Sequence, residues 1–451
     1  MARRSAAALC AWLCCATCAA PRTLVVLDDL SYRSSHAEFF AQLESRGHAL
    51  SFAAVGSAEA RLSELGEWLF DGLVLVAPRA EELGPELDAG AVAEFIDAGR
   101  SVFVGGGCEV GFATREVAAE VGLEFDAEER VVIDHAAFDV KDHTKDDDHT
   151  LIVADAFTPA AVMVGAAPQP VLYRGAGMRL ADENELVLSV LTGAATTYSW
   201  STLDEVDAAP AASGAELLLV AAMQARNNAR VVVCGSWDMM SDEFFALPAQ
   251  KFHAKGPTPS GNRAFASNIT AWLFDGAGSL RLSEVQHQLV GGGAQSVYTI
   301  KEEVSFGFTV EVLEEGGWAP FVADDLQMEF TMLDPYYRLF VPHAGQGRYN
   351  VSFVLPDVNG VFQFRLDYRR VGYTHLQSST QVNVRPPRHD GYARFLPVRV
   401  LPPPPASPPH PPPLSLLEHT RVSTPQALPV ASGLSGPCFR LRIRTTCRRC
   451  P

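Results

Sequence analysis

The 451-residue sequence lacks any uninterrupted apolar run of about 18 residues or more, the length that a membrane-spanning helix requires. The sequence therefore predicts no spanning segment, although hydrophobic residues make up 47% of the chain. With 20% charged residues, this composition is typical of a globular protein with two or three domains.

Cysteine is scarce in the body of the chain. Of the nine cysteines, four lie within the first 20 residues and three lie close to the C-terminus, which leaves Cys108 and Cys234. Two cysteines do not make a disulfide framework. We therefore expect the body to be stabilised by its hydrophobic core.

Positive charge is also scarce between residues 21 and 395, where 27 basic residues face 52 acidic residues. A region this acidic repels the phosphate backbone of nucleic acids. The charge therefore excludes nucleic-acid binding by the body.

The first 20 residues have the pattern of a signal peptide. Arg3 and Arg4 precede a short apolar stretch, and small residues up to Ala20 offer a cleavage site. Two N-x-S/T sequons, at Asn268 and Asn350, are candidate glycosylation sites in a secretory chain.

Residues 21–280 predict an α/β domain with a parallel sheet. Short apolar runs at Thr23–Leu27, Leu73–Val76 and Ser101–Val104 alternate with helical patterns such as Val92–Ala98, and this alternation is typical of parallel strands joined by helices. We expect later strands at 217–220 and 231–234 to rejoin the sheet, with a helix at 267–274 packed on it.

Residues 281–396 predict an all-β, sandwich-like domain, because segments with a period of two are separated by turn signals. The predicted strands are Val297–Val312, Leu326–Met332, Tyr349–Leu355, Val361–Tyr368 and Ser378–Val384. Residues 397–451 hold 14 of the 30 prolines. This Pro/Arg-rich tail is predicted to be disordered, because it forms polyproline II locally and buries no core.

Two groups of residues have side chains suited to a functional site but lack the spacing of any known motif. Gly105–Gly107 and Cys108 follow a strand, where an anion or a nucleophile is often found, but no phosphate-binding or nucleophile motif surrounds them, and a tight turn is favoured. A cluster of carboxylates and imidazoles matches no metal motif, so a solvated acidic loop is favoured over a zinc or calcium site. The cluster comprises Asp134, His135, Asp139, His143, Asp146, Asp147, Asp148 and His149.

Arg226 and Arg230 are two cations in an acidic body. They are candidates for binding a carboxylate or phosphate, or for capping loops and pairing with Asp238 or Asp242, and the pattern favours the structural role. The sequence assigns no catalytic residue, no metal and no cofactor.

The chain resembles the 48 kDa subunit family of the eukaryotic oligosaccharyltransferase. The strongest match is MQARNNARVVVCGSWDMMSDEFF from Met223, and the β region adds LPDVNGVFQFRLDYRRVGYTHLQSSTQVNVRP from Leu355. Further matching segments occur in uninterrupted order, and similarity extends from Thr23 to Pro397. They are TLVVLDDLSYRSSHAEFF, GEWLFDGLVLVAP, EFIDAGRSVFV, HTLIVADA, LYRGAGM, VLSVLTGAATTYS and LDPYYRLF.

The resemblance implies a non-catalytic subunit required for assembly and stability, with its bulk in the lumen of the endoplasmic reticulum. It implies a multi-pass catalytic subunit and ribophorin-type subunits as partners in transferring oligosaccharide from dolichyl diphosphate to asparagine. In the family, a membrane-spanning helix follows the position of Pro397, whereas here the Pro/Arg-rich tail does. We expect either a mis-predicted C-terminus or a soluble variant that is retained by its partners.

Two other functions stay open at this point. One is a soluble lumenal carbohydrate-binding protein or hydrolase that uses the loops near Gly105–Gly107 or the β sandwich. The other is a role in positioning the lipid-linked donor, with Arg226 or Arg230 near the diphosphate.

Overall fold

The computed structural model describes residues 20–140, 148–181, 184–203, 209–314 and 317–391. The described residues through Gly391 belong to one compact unit. Within these ranges, no helix combines the length and the apolar character needed to cross a membrane. The predicted tail and all but the last residue of the predicted signal peptide lie outside the described residues.

The described residues in the first part of the chain form an α/β region with 16 strands and seven α-helices. Its strands are β1 (Arg22–Leu27), β2 (Ala49–Ala54), β3 (Ser63–Glu64), β4 (Glu67–Trp68), β5 (Gly72–Val76), β6 (Ser101–Gly105), β7 (Leu123–Phe125), β8 (Arg130–Ile133), β9 (Ile152–Ala154), β10 (Ala156–Phe157), β11 (Val171–Tyr173), β12 (Met178–Leu180), β13 (Val187–Thr192), β14 (Tyr198–Ser201), β15 (Leu218–Gln224) and β16 (Arg230–Cys234). Its helices are α1 (Tyr32–Ser35), α2 (Ala37–Ser45), α3 (Ala89–Asp97), α4 (Phe112–Glu120), α5 (Ala161–Val164), α6 (Asp242–Ala246) and α7 (Asn262–Phe274).

Ten of these strands form one sheet in the order β10-β13-β15-β16-β6-β5-β1-β2, with β12 paired to β15 and β7. Strands β16, β6, β5, β1 and β2 are parallel, whereas β15, β13 and β10 are antiparallel to their neighbours. The predicted α/β class is therefore confirmed, but the sheet is mixed. The sequence reasoning missed the antiparallel strands, because β15 returns to β16 through a short turn that leaves no room for a crossover helix.

The central strands are apolar on both faces because helices cover both faces. Val25 and Leu27 of β1 face a core that contains residues of α2 and α7, while Leu24 and Val26 face a second core that contains residues of α3 and α4. The winding direction therefore reverses between β1 and β5, whose following helices lie on opposite faces of the sheet.

The second part of the chain forms a β sandwich, as predicted. Its strands are β17 (Leu280–Leu289), β18 (Val297–Thr299), β19 (Glu303–Glu314), β20 (Gly317–Pro320), β21 (Gln327–Thr331), β22 (Pro335–Phe340), β23 (His343–Gly345), β24 (Arg348–Val354), β25 (Gly360–Tyr368) and β26 (Leu376–Arg385). One sheet has the order β17-β19-β24-β23 with β20 on β19, and the other has the order β18-β26-β25-β21-β22. The predicted strand at 297–312 is in fact two strands, β18 and β19, in different sheets.

Stacked aromatic rings fill the sandwich core. The ring centroids of Phe306 and Phe364 lie 4.7 Å apart, and those of Phe330 and Phe362 also lie 4.7 Å apart, with all four side chains buried. Aromatic pairs in this geometry stabilise a core beyond the area that they bury.

The end of α7 holds the α/β region against the sandwich. The indole nitrogen of Trp272 donates a hydrogen bond of 2.8 Å to the carbonyl of Gly372, in the connection between β25 and β26. In addition, the Leu280 amide donates to the Thr374 hydroxyl, at 2.8 Å. The predicted domain boundary between residues 280 and 281 lies at the start of β17, beside this contact, and stays a prediction.

Candidate functional site

A cleft of about 990 Å³ lies between the turn that joins β15 to β16 and the connection that joins β25 to β26. Three arginines and a histidine line it: Arg226, Arg369, Arg370 and His375. We call it the basic cleft. Arg226 was singled out by the sequence, whereas the other three side chains were not.

Local structure explains why the arginines of the cleft reach solvent. Asn228 adopts a left-handed conformation with φ of +67°, and the Asn227 side chain donates hydrogen bonds to the carbonyls of Ile96 and Asp97. These interactions fix the turn, which presents Arg226 at the surface. On the opposite wall, Arg369 and Arg370 follow β25 directly and are also exposed.

Arg230 lies only four residues after Arg226, yet the structure places it in the interior, with 3% of its surface exposed. Its Nη1 donates to the carbonyl oxygens of Trp272 and Ala277, and its guanidinium lies 4.7 Å from the centroid of the Trp272 ring. Burial lowers the pKa of Arg230 to about 10, which leaves it protonated at neutral pH. The structure therefore does not bring Arg226 and Arg230 together.

The predicted pairing of these arginines with Asp238 or Asp242 is wrong. Asp238 accepts a hydrogen bond from Arg174 at 2.7 Å, and Asp242 accepts from the amides of Ala37 and Glu38. Arg230 pairs with helix-end carbonyls instead, because β16 directs its side chain toward the end of α7.

Gly105–Gly107 serve close backbone approach rather than a tight turn. The Gly106 amide donates to the Cys234 carbonyl and its carbonyl accepts from the Trp237 amide, each at 2.7 Å. A Cβ atom on Gly106 would lie 3.1 Å from the Cys234 carbonyl oxygen, so a side chain would push the two segments apart. The triplet therefore has a structural role: its backbone connects the end of β6 to the loop that follows β16.

Cys108 follows this triplet at the surface. Packing of the surrounding protein raises the pKa of the Cys108 thiol, and the Asp238 carboxylate raises it further. A thiol with a raised pKa is protonated at neutral pH, which is the opposite of what a nucleophilic cysteine needs.

The acidic cluster is divided between separate structural roles. Asp134 is fully buried and accepts hydrogen bonds from the amides of Ala136 and Ala137 and from the hydroxyls of Thr196 and Thr197, at 2.6–2.9 Å. Asp139 accepts a hydrogen bond from the Gln250 amide at 2.8 Å. Neither carboxylate faces an open site.

The described histidines of the cluster contact each other. The Nδ1 atoms of His135 and His149 are 2.5 Å apart, and His135 Nε2 lies 2.9 Å from the Tyr198 hydroxyl. Asp148 is exposed, and His143, Asp146 and Asp147 lie outside the described residues. In the part of the chain that the structure describes, no three ligating side chains converge in a way that would hold a metal ion.

A second, smaller crevice of about 460 Å³ lies at the carboxyl ends of β1 and β5, where the winding of the sheet reverses. Asp28, Asp29, Tyr32, Arg79 and Glu82 contribute to its lining. Burial raises the pKa of Asp28, against the opposing effect of a hydrogen bond from the Arg79 amide. This is the position at which open α/β sheets commonly bind small ligands.

The two sequons differ in their surroundings. Asn268 lies within α7, and the hydroxyl of its partner residue Thr270 is buried and donates to the Ala266 carbonyl at 2.6 Å. Asn350 is exposed on β24, where its side-chain oxygen accepts a hydrogen bond from Ser305 at 2.6 Å. The position on β24 therefore has room for a glycan, whereas the position in α7 is constrained.

We predict that Arg230→Ala lowers the free energy of unfolding by about 3 kcal/mol, because the carbonyls of Trp272 and Ala277 lose their donor. Urea unfolding followed by tryptophan fluorescence measures the change. The matched control is Arg226→Ala in the exposed turn, which should change stability by less than about 0.5 kcal/mol. Equal effects of the two substitutions would contradict the structural role of Arg230.

Asp134 gives a pH-dependent prediction. Burial opposes its ionisation, but hydrogen bonds led by that from Thr197 outweigh burial and lower the pKa of Asp134. Because the folded pKa lies below the unfolded value of about 4, this stabilisation is present above pH 4 and is lost as the pH falls further.

We therefore expect Asp134→Asn to cost about 2–3 kcal/mol at pH 7, and less in acid, where wild-type Asp134 is itself protonated. Urea unfolding of both proteins, measured at pH 7 and again at an acidic pH below about 4, tests this. Asp155→Asn, at an exposed carboxylate that pairs with Lys251, is the control. A difference between wild type and Asp134→Asn that stays constant with pH would refute the assignment.

Comparison with known sequences covers most of the chain. The family OST48, N-terminal domain matches residues 15–276, and the OST48 middle domain matches residues 283–400. The dolichyl-diphosphooligosaccharide–protein glycosyltransferase 48 kDa subunit of Danio rerio is 42% identical over 382 residues, covering 83% of this chain and 86% of the relative.

Relatives with the same name occur in an insect and a plant. The Drosophila melanogaster protein is 41% identical over 389 residues, covering 83% of this chain and 85% of the relative. The Arabidopsis thaliana protein is 39% identical over 385 residues, covering 83% of this chain and 87% of the relative. These matches confirm the resemblance seen in the sequence: the chain belongs to the 48 kDa subunit family of dolichyl-diphosphooligosaccharide–protein glycosyltransferase, the oligosaccharyltransferase.

Proposed function

We propose that this chain is a non-catalytic subunit of oligosaccharyltransferase, required for the assembly and stability of the enzyme. That enzyme transfers a preassembled oligosaccharide from dolichyl diphosphate to the asparagine of N-x-S/T. The observation that carries the proposal is the match to two successive family domains, together with 39–42% identity to relatives named as its 48 kDa subunit.

The chemistry of the candidate residues supports a non-catalytic role. The Cys108 thiol has a raised pKa, the Asp134 carboxylate is occupied by four internal donors, and Arg230 is buried against Trp272. Asp134 and Arg230 thus contribute to the fold, and the protonated Cys108 thiol is poorly suited to act as a nucleophile.

The proposed partners are the multi-pass catalytic subunit and ribophorin-type subunits of the same complex. The proposed location is the membrane of the endoplasmic reticulum with the bulk of the chain in the lumen, which the leader pattern and the two sequons support. Membrane association would come from the complex or from a transmembrane helix of this subunit.

Depletion of the chain, followed by re-expression of a tagged copy, tests this function. We expect depletion to lower the amount of intact complex and the sequon occupancy of a reporter glycoprotein, and we expect the tagged copy to restore both and to co-purify with the catalytic subunit. The purified chain alone should transfer no oligosaccharide to an acceptor peptide. Transfer or glycan cleavage by the chain alone would instead favour the carbohydrate-binding or hydrolase function.

The lumenal location predicts a glycan at Asn350 and none at Asn268. The Asn350→Gln variant should lose a shift in gel mobility that endoglycosidase treatment of the wild-type chain also removes. The Asn268→Gln variant is the matched control and should migrate like the wild type. A chain that endoglycosidase leaves unchanged would argue against the lumenal exposure of β24.

A further inference from the structure

The lining of the basic cleft is positively charged, whereas the body of the chain as a whole is acidic. Residues 21–395 carry 27 basic and 52 acidic residues, yet three arginines and a histidine line this one cleft. Among its described lining residues, Glu185 is the single carboxylate. A local excess of positive charge on an acidic protein is an attractive site for an anionic partner.

Several arginines elsewhere on the surface pair with carboxylates of the same chain. Arg174 pairs with Asp238, Arg179 with Glu124, and Arg281 with Glu311, each at 2.7 Å. In contrast, Arg226 makes no ion pair with any described residue. Its guanidinium is therefore available to a carboxylate supplied from outside the chain.

Arg370 lines the same cleft and has no carboxylate within ion-pair distance among the described residues, although Asp325 acts on it from further away and accepts a hydrogen bond from the Tyr368 hydroxyl. It contacts the Tyr368 hydroxyl, and its guanidinium lies 5.7 Å from the centroid of the Tyr373 ring. By comparison, Arg369 and His375 both contact the Asp367 carboxylate. Its Oδ1 lies 3.5 Å from Arg369 Nε and 2.8 Å from His375 Nε2. The two arginines of the cleft that make no direct ion pair with a described residue thus come from opposite walls.

The remaining lining distinguishes a polypeptide from a small phosphate. Side-chain amides of Gln224, Asn228 and Gln377 offer both donors and acceptors, which complement the N–H and C=O groups of a peptide backbone. Leu186 and Val371 add apolar surface. A volume of about 990 Å³ is far larger than one phosphate group fills and lies at the upper end of the range for ligand pockets.

We propose that the basic cleft binds an acidic polypeptide segment of another oligosaccharyltransferase subunit, with Arg226 and Arg370 each binding a carboxylate of that segment. The identity of the partner rests on the proposed function, whereas the chemistry of the cleft does not. The bound segment would contact the α/β region through the β15–β16 turn and the sandwich through the β25–β26 connection.

A titration of the purified full-length chain with fluorescein-labelled octaglutamate tests the chemistry by fluorescence anisotropy. We expect octaglutamate to bind and octaglutamine not to bind, and we expect added salt to weaken binding because the contacts are exposed ion pairs. Inorganic pyrophosphate at the same concentration should not displace the peptide. Displacement by pyrophosphate would overturn the peptide assignment in favour of a small-anion site.

Substitutions of the arginines in the cleft test whether octaglutamate binds there. Arg226→Gln should weaken octaglutamate binding by about tenfold, which corresponds to the loss of one charge-assisted hydrogen bond, and Arg226→Lys should retain most of it. Adding Arg370→Gln should weaken binding further. The matched control is Arg348→Gln, at an exposed arginine on β24 outside the cleft, which should bind like the wild type.

Arg226→Gln changes an exposed turn residue, so its fold should be intact, and thermal unfolding of each variant checks this. Unchanged octaglutamate affinity in the folded double variant would overturn the proposal. So would an equal loss of affinity in Arg348→Gln, because the binding would then reflect overall charge.

Co-purification separates this proposal from the function on which it rests. If wild-type chain co-purifies with the catalytic subunit and the folded double variant does so less well, the cleft is supported as a contact within the complex. If both co-purify equally, the cleft proposal fails while the subunit function stands. If the wild type does not co-purify, the subunit function fails, and the octaglutamate titration alone decides the chemistry of the cleft.

Discussion

The buried contact between Arg230 and Trp272 is the interaction on which the arrangement of this protein depends. Arg230 binds the carbonyls at the end of α7, its guanidinium lies over the Trp272 ring, and the indole N–H of the same tryptophan reaches Gly372 in the sandwich. One strand of the main sheet, one helix and one sandwich connection thereby share a single hydrogen-bonded unit. The same unit links the two segments that form the walls of the basic cleft.

This arrangement explains how one short motif provides two different functions. Arg226 and Arg230 are four residues apart, but Arg226 lies in the exposed turn whereas Arg230 is on β16 and points inward. A buried guanidinium is tolerated only where acceptors and an aromatic face replace its hydration, and the end of α7 supplies both. The exposed Arg226 guanidinium has no comparable acceptors within the described chain, so it is available to bind a carboxylate of a partner.

Sequence reasoning predicted the elements whose local pattern is strong and missed those that depend on distant partners. The apolar runs at Thr23–Leu27 and 231–234 are strands as predicted, because only a buried strand suits so short an apolar run between turn signals. Strand β17 was missed, because a bulge near Glu284, with φ of +51°, interrupts its alternation. The basic cleft was missed, because Arg226 and Arg370 are far apart in the sequence and tertiary contacts such as that of Trp272 with Gly372 bring their segments together.

The pairing of β6 with β16 has a consequence for how the chain acquires its structure. β6 ends at Gly105 and β16 begins at Arg230, so the middle of the main sheet is completed only after more than a hundred further residues have been made. At about 5–20 residues per second, the open edge of β6 waits on the order of ten seconds during synthesis. During that interval an apolar strand edge is exposed to other chains, and such an edge is what molecular chaperones protect. Biogenesis of this protein should therefore depend on chaperones mainly while its first half is being made.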